Sequence, residues 1–209
     1  MDLLITLSLI LGTLLMGAIS PGPSFVLIAK LSMGNSRKDG VAASIGMGIG
    51  GIFFAILALF GIHTVLTVVP VIYVALKLIG GSYLLYLGVK IWRGAKQGLT
   101  ITCDEPVGKG SIKRSFLIGL ITQMSNPKTA VVYGSIFAAL LPENIPLTLY
   151  YILPPLVFLV EACWYIIVSL ILSSPVPRTY YLRSKNIFDR MAGGLIACLG
   201  IKLIASGNR

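Results

Sequence analysis

Residues 17–33 read GAISPGPSFVLIAKLSM, a Pro-Gly-Pro triplet set inside an otherwise apolar helical run and followed by a lone Lys30. Proline removes an N–H donor and clashes with the turn before it, and glycine adds chain freedom and exposes the peptide group. In water such a triplet is a turn. In lipid each unsatisfied backbone group costs several kcal/mol, so a broken helix there must line a polar cavity or pack against protein. Whether the surroundings are lipid therefore decides how the stretch is read.

Composition answers that. The 209 residues are 56% hydrophobic and only 11% charged, with a mean hydropathy of +0.91, where a soluble domain carries roughly 25% charged residues. The charges cluster between apolar runs at 2–33, 41–62, 68–91, 115–141, 148–172 and 187–205, and runs near 20 residues mark spanning helices. The net charge of +10 does not point to nucleic acid, because no polar segment is long enough to fold as a binding module. MDLLITLSLI at the N-terminus has no positive leading region, so no cleaved signal is expected. Cys103, Cys163 and Cys198 lie too far apart for a CxxC redox pair or zinc knuckle. No metal site and no cofactor is expected, and no P-loop motif offers direct coupling to ATP.

The basic residues orient the chain. Loops 34–40, 92–114 and 173–190, with the helix-end Lys90, hold Arg37, Lys38, Arg93, Lys96, Lys109, Lys113, Arg114, Arg178, Arg183, Lys185 and Arg190; the opposite side, with loops 63–67 and 142–147, holds only Arg209 and Lys202. The positive-inside rule puts the basic loops in the cytoplasm and both termini outside.

The polar linker 93–114 divides the chain into halves of about 1–92 and 115–209. Three spans per half, an odd number, means that related halves face opposite ways. Ser20-Pro21-Gly22-Pro23-Ser24 interrupts the first helix of one half and Ser125-Asn126-Pro127-Lys128-Thr129 the first helix of the other. Paired interruptions of this kind point to a transporter site at the bilayer midplane. The expected fold is thus all-α: a single polytopic membrane domain of six helices in two inverted three-helix repeats, the first and fourth helices broken at proline. Half-helix ends carry opposite partial charges, so two breaks meeting across a pseudo-two-fold would grip a zwitterion, N-termini toward its carboxylate and freed carbonyls toward its ammonium.

SPGPSF at 20–25, NSRKDG at 35–40, GVAASIGMGIGG at 40–51, GGSYLLYLGVKIWRG at 80–94, FLIGL at 116–120, SNPKTAVVYGSIF at 125–137 and FDRMAGGLIACLGIKL at 188–203 run in order along nearly the whole chain. In these motifs the chain resembles the lysine exporter (LysE) superfamily, in its homoserine/threonine resistance (Rht) branch and nearest the threonine-exporting members. The resemblance implies an inner-membrane exporter of small neutral amino acids, with threonine or homoserine favoured, and not an enzyme. It departs at Ser24, where members often carry an acidic or amide residue after PGP, so no carboxylate role is carried to that position.

Intramembrane polar residues are functional candidates because a charge at a helix centre costs about 2.5–3.5 kcal/mol on insertion scales. Glu161 in LVFLVEACWYIIV reads as the sole carboxylate well inside a span, and as a proton or ammonium site or else the structural partner of a buried lysine. Lys128 reads as a carboxylate ligand, as the alternating partner of Glu161, or as a chain snorkelling to the interface. With Pro21, Gly22, Pro23, Ser24, Asn126 and Pro127 they form the candidate site, joined by Trp164, three residues beyond Glu161 and on the same helical face. Asp189 is expected to cap the start of the last helix, and His63 to sit at an external helix end. Gly40, Ser44 and Gly48, spaced by four, form a small-residue stripe for close helix approach; packing within the chain is the favoured reading, a homodimer seam the alternative. Proton influx is the expected driving force. The rival functions are export of a divalent cation, which favours clustered carboxylates, His or thiolates, a thiol-redox conduit, and an intramembrane enzyme.

Overall fold

Eight helices and one π-helical turn make up the computed structural model, which describes residues 3–20, 22–68, 70–96, 111–142 and 144–206, without side chains at 63–68, 70–73, 176–178 and 182. They are α1 (Leu3–Ile19), α2 (Pro23–Lys30), the π-helical turn Leu31–Asn35, α3 (Arg37–Val68), α4 (Pro70–Gly94), α5 (Ile112–Met124), α6 (Pro127–Leu140), α7 (Leu147–Leu172) and α8 (Pro175–Ser206). No strand occurs among the described residues. Three stretches are long and apolar enough to cross a bilayer: Arg37–Ile62, Val74–Gly94 and Leu147–Leu172; α1 and α2, joined at a 59° bend, make a fourth if taken as one span. Large apolar side chains such as Phe53, Leu57, Phe60, Ile79, Ile121 and Ile201 lie on the outside, as lipid-facing positions require.

Proline breaks helices here only in certain company. At Pro23 and Pro127 the ring takes the first helical position, where its missing N–H costs nothing. Pro154 and Pro155, by contrast, lie inside α7, which continues through them.

Small residues set the packing. Gly81 meets Gly200 and Ile204, and Gly88 meets Gly193 and Ala197, so α4 and α8 cross antiparallel at backbone contact. On α3, Gly40 faces Ser169, Gly48 faces Phe158 and Ala162, and Gly51 faces Val157, so α3 and α7 are antiparallel as well. Another face of α3 packs Ala43 on Gly119, Gly46 on Phe116 and Leu120, and Gly50 on Gln123, making α3 and α5 parallel. The stripe Gly40, Ser44 and Gly48 is therefore filled from within the chain, and the fully buried Ser44 returns its hydroxyl to the Gly40 carbonyl at 2.7 Å. Two apolar cores result. One centres on Phe137, Ile136, Leu59 and Leu153, the other on Phe25, Ile28, Met47 and Val168.

Several expectations need correction. Segment 173–190 is not a loop: apart from Ser173 and Ser174 it is the first half of α8. Asp189 consequently caps nothing. It lies in the helix interior, 2% exposed, and pairs with the equally buried Lys185 one turn earlier. A helix stabilises the pair because i and i+4 share a face. Among the described residues Glu161 is then one of three buried carboxylates, with Asp39 and Asp189. Asp39 accepts from Ser36 at the start of α3 and from Ser115 of α5 at 2.6 Å, tying the two helix ends together. Segments 34–40 and 63–67 are likewise almost wholly helical. The His63 side chain, Pro21, Cys103 and most of linker 93–114 lie outside the described residues.

Backbone-to-backbone packing makes a clear mutational contrast. Gly88→Leu drives its side chain into the Gly193–Ala197 backbone, which cannot swing aside, so we expect a loss at or above the usual overpacking cost of about 1–3 kcal/mol. Gly12→Ala meets open space and is expected to be neutral or mildly stabilising, since alanine suits a helix better by about 1 kcal/mol. Thermal unfolding of the two purified variants in detergent checks the difference.

Candidate functional site

Helix α1 ends where its hydrogen-bond donors run out. In an unbroken helix the Gly17 and Ile19 carbonyls would accept from residues 21 and 23, but both are prolines and carry no N–H. Carbonyls at this helix end, that of Gly17 among them, are met from the other half of the chain. Lys128 donates its ammonium to Gly17 O at 3.1 Å and to Ser20 O at 3.0 Å, and Trp164 donates its indole N–H to Ala18 O at 3.2 Å. A cation suits this place, since a helix C-terminus carries partial negative charge.

The second break is closed locally. Asn126 caps α6 by accepting from the Lys128 amide at 3.0 Å, and its own amide returns to the Gln123 carbonyl at 3.2 Å. That carbonyl is the one Pro127 cannot serve. The Asn126 side chain also reaches across to the first break and donates to Ser24 Oγ at 3.0 Å. The two interruptions, 102 residues apart, are thus hydrogen-bonded to each other.

From there a chain of bonds runs inward. Ser24 donates to Gln123 Oε1 at 2.7 Å, and Gln123 Nε2 donates to Glu161 Oε2 at 3.3 Å. Tyr133 donates to the other oxygen, Glu161 Oε1, at 3.0 Å. Gln123 and Glu161 are 1% and 3% exposed, so each bond also meets a desolvation cost that would otherwise stand alone. Gly51 leaves room beside this cluster, a Cβ there lying 3.1 Å from the Tyr133 hydroxyl and 3.2 Å from Glu161.

These groups enclose a cavity lined by Ser20, Gly22, Ser24, Gln123, Asn126, Lys128, Thr129, Tyr133, Glu161 and Tyr165, with Leu14, Gly17, Ala18 and Val132 as its apolar wall. Its free volume is about 20 Å³, on a measure where about 10–15 Å³ holds one water. The cavity is small, and polar side chains from both breaks reach into it.

Of the residues named from sequence, Gly22, Ser24, Asn126, Lys128 and Glu161 meet here. Pro23 and Pro127 are exposed, acting through the helix starts that they set. Trp164 turns to α1 and packs against the second core instead of lining the cavity. Lys128 does not snorkel, and Lys128 and Glu161 share the space without an ion pair; Lys185–Asp189 is the salt bridge among the described residues. Gln123, Tyr133, Tyr165 and Thr129 were missed. An amide two residues before the Ser-Asn-Pro break was a signal for Gln123; the tyrosines read simply as aromatics in apolar helices.

Residues 15–207 match the LysE type translocator family. The chain is 30% identical over 188 residues to the threonine efflux protein of Escherichia coli K12, covering 90% of this chain and 91% of that one, and equally so to the threonine efflux protein of Salmonella typhi. An uncharacterized membrane protein of Haemophilus influenzae is 30% identical over 196 residues, 92% of this chain and 93% of that one. No solved structure matches.

The contact between the breaks is open to a double-mutant cycle. Ser24→Ala and Asn126→Ala each orphan a buried partner, at about 1–3 kcal/mol per group left unpaired. Together they should cost less than their sum, with a coupling of about 0.5–3 kcal/mol, measured by denaturation of the purified protein. Strict additivity would mean that the two breaks are not bonded.

Proposed function

The chain belongs to the LysE type translocator family, and from that premise we propose that it is an inner-membrane secondary exporter of small neutral amino acids, threonine or homoserine foremost, driven by proton influx. The observation that carries the reading is the bond from Asn126 to Ser24, which joins two proline breaks beside a small cavity that buried Glu161 lines. The likeness to two threonine efflux proteins favours that substrate.

The architecture proposed is six spans in two inverted halves: α1/α2, α3 and α4, then α5/α6, α7 and α8. Helix directions support it. Inversion makes equivalent helices antiparallel, and α3 with α7 and α4 with α8 cross that way. The same threading makes α3 and α5 parallel, as they are. The basic loops then face the cytoplasm and both termini the outside, by the Lys/Arg distribution.

The cavity's chemistry suits a zwitterion. Helices α2 and α6 both begin at its wall, through Gly22 and Asn126, and their free N–H groups and positive dipole ends suit a carboxylate. Carbonyls at the end of α1 and the Glu161 carboxylate suit an ammonium. The apolar wall of Leu14, Ala18 and Val132 leaves a place for a short side chain. Glu161 as carboxylate offsets the charge of the substrate's ammonium across the cavity, and as neutral acid it no longer does. Alternating exposure of this one group exchanges an inward proton for an outward amino acid. Divalent cation export, the rival, needs clustered anionic ligands, and Glu161 is the one acidic residue in the cavity lining. Cys163 and Cys198 lie on the outside, away from a redox role at the breaks.

Two measurements test this. Cells expressing the protein should resist growth inhibition by excess threonine or homoserine and not by lysine or glutamate; a reversed pattern ends the substrate assignment. In proteoliposomes, efflux of threonine should follow an imposed pH gradient, about tenfold accumulation per pH unit for one proton exchanged. Glu161→Gln should abolish that dependence, and flux indifferent to the gradient in the native protein would rule out proton coupling.

A further inference from the structure

Lys128 holds a place that, on the exporter reading above, its own substrate needs. Its ammonium donates to Gly17 O at 3.1 Å and Ser20 O at 3.0 Å, two carbonyls at the end of α1 that face the cavity. One of them lost its helical donor because residue 21 is proline. The side chain reaches them across Gly22, where a Cβ would stand 3.2 Å from Lys128 Cδ and Nζ. Glycine there leaves the path open. Lys128 thus threads the cavity from α6 to α1, and the remaining space is about 20 Å³, enough for water and far too small for an amino acid.

We propose that Gly17 O and Ser20 O form an ammonium seat, occupied by Lys128 in this closed state and surrendered to the substrate's α-ammonium on binding. This deepens the exporter reading and rests on it. The exchange conserves the seat's bonds, since one primary ammonium replaces another with the same N–H donors. The displaced Lys128 loses both acceptors, and Glu161, the anion already in the lining, has each oxygen engaged by Gln123 or Tyr133, so the displacement is costly unless a further anion arrives with the ligand. A zwitterion brings that anion: its carboxylate meets Lys128 as its ammonium takes the seat. A simple amine brings none. Lys128 therefore makes the site demand a carboxylate, and it is a specificity residue that also closes the empty carrier. No covalent bond changes and no proton need move in this step.

The seat is tested by refilling it. Lys128→Ala removes three methylenes and the ammonium, a gap that propylammonium matches atom for atom. In the full-length protein purified in detergent, propylammonium should raise the apparent Tm of Lys128→Ala by about 3 °C or more and leave the native protein unmoved. Tetramethylammonium, of equal charge but with no N–H, should do nothing. In the same assay threonine should stabilise the native protein well beyond its amino alcohol, in which CH₂OH replaces the carboxylate, and Lys128→Ala should lose that preference. Lys128→Ser serves in the same role should the alanine form not fold. If propylammonium acts equally on native and variant protein, or the variant still prefers threonine, the proposal is overturned while the exporter reading stands. If no neutral amino acid stabilises the native protein, yet propylammonium rescues the variant, the seat stands and the amino-acid reading of the cavity falls.

Discussion

The structure depends on one constraint: a carbonyl freed inside a membrane must find a donor. Prolines at 21 and 23 deprive α1 of the N–H groups that would continue it, and water is not at hand to replace them. The replacement comes from more than 100 residues away, as the Lys128 ammonium and the Trp164 indole. A defect in one half is thus completed only by the other. That makes the interface between the halves specific as well as adhesive, because apolar packing alone would leave those carbonyls orphaned.

Close packing sets the distances over which these bonds can form. Lipid tails are as apolar as leucine, so helices in a membrane associate through contact and polar pairing more than by exclusion from water. Here glycine against glycine on α4 and α8, and small residues of α3 against α7 and α5, bring backbones into direct touch. The stiff frame that results holds Glu161 on α7 within reach of Gln123 on α5 and Tyr133 on α6. The short helices that follow the two breaks begin at Gly22 and Asn126, and they bring Ser24 and Lys128 to the same centre.

Much of this was legible in residues. The breaks, the meeting of the two interruptions, and Glu161 and Lys128 as lining of one cavity follow from proline and charge in apolar runs, because lipid makes such residues expensive. What failed was reading boundaries from polarity. Segment 173–190 carries Arg178, Arg183, Lys185 and Arg190, which suggests a loop, yet it is helix. Lys185 and Asp189 neutralise each other one turn apart, and Arg190 lies over the Trp92 ring. Directions of side chains were equally hidden. Trp164 shares a helical face with Glu161 by spacing, but one turn along α7 the neighbour is the end of α1 and not the cavity. Pro154 and Pro155 are no such failure, since run 148–172 reads as one span and α7 continues through both prolines.

The order of donors in the cavity ties the protonation of one group to the contact between the halves. Asn126 donates to Ser24, Ser24 to Gln123, and Gln123 to Glu161, while Tyr133 donates to Glu161 from the other side. Every bond points toward the carboxylate, which accepts twice and gives nothing. Ser24 has one hydrogen and spends it on Gln123, so its bond from Asn126 holds only in this direction. A proton on Glu161 turns one of its oxygens into a donor; beside Tyr133 the hydroxyl can accept it, but beside Gln123 Nε2 donor meets donor. If Gln123 turns its amide to suit, its oxygen leaves Ser24, Ser24 must redirect its hydrogen, and the link from Asn126 is put at risk. The effect needs no large movement, because serine and two primary amides reorient about single bonds. A network whose donors all point one way, with an acid at its end and the two helix breaks at its start, ties the state of that acid to the contact between the breaks.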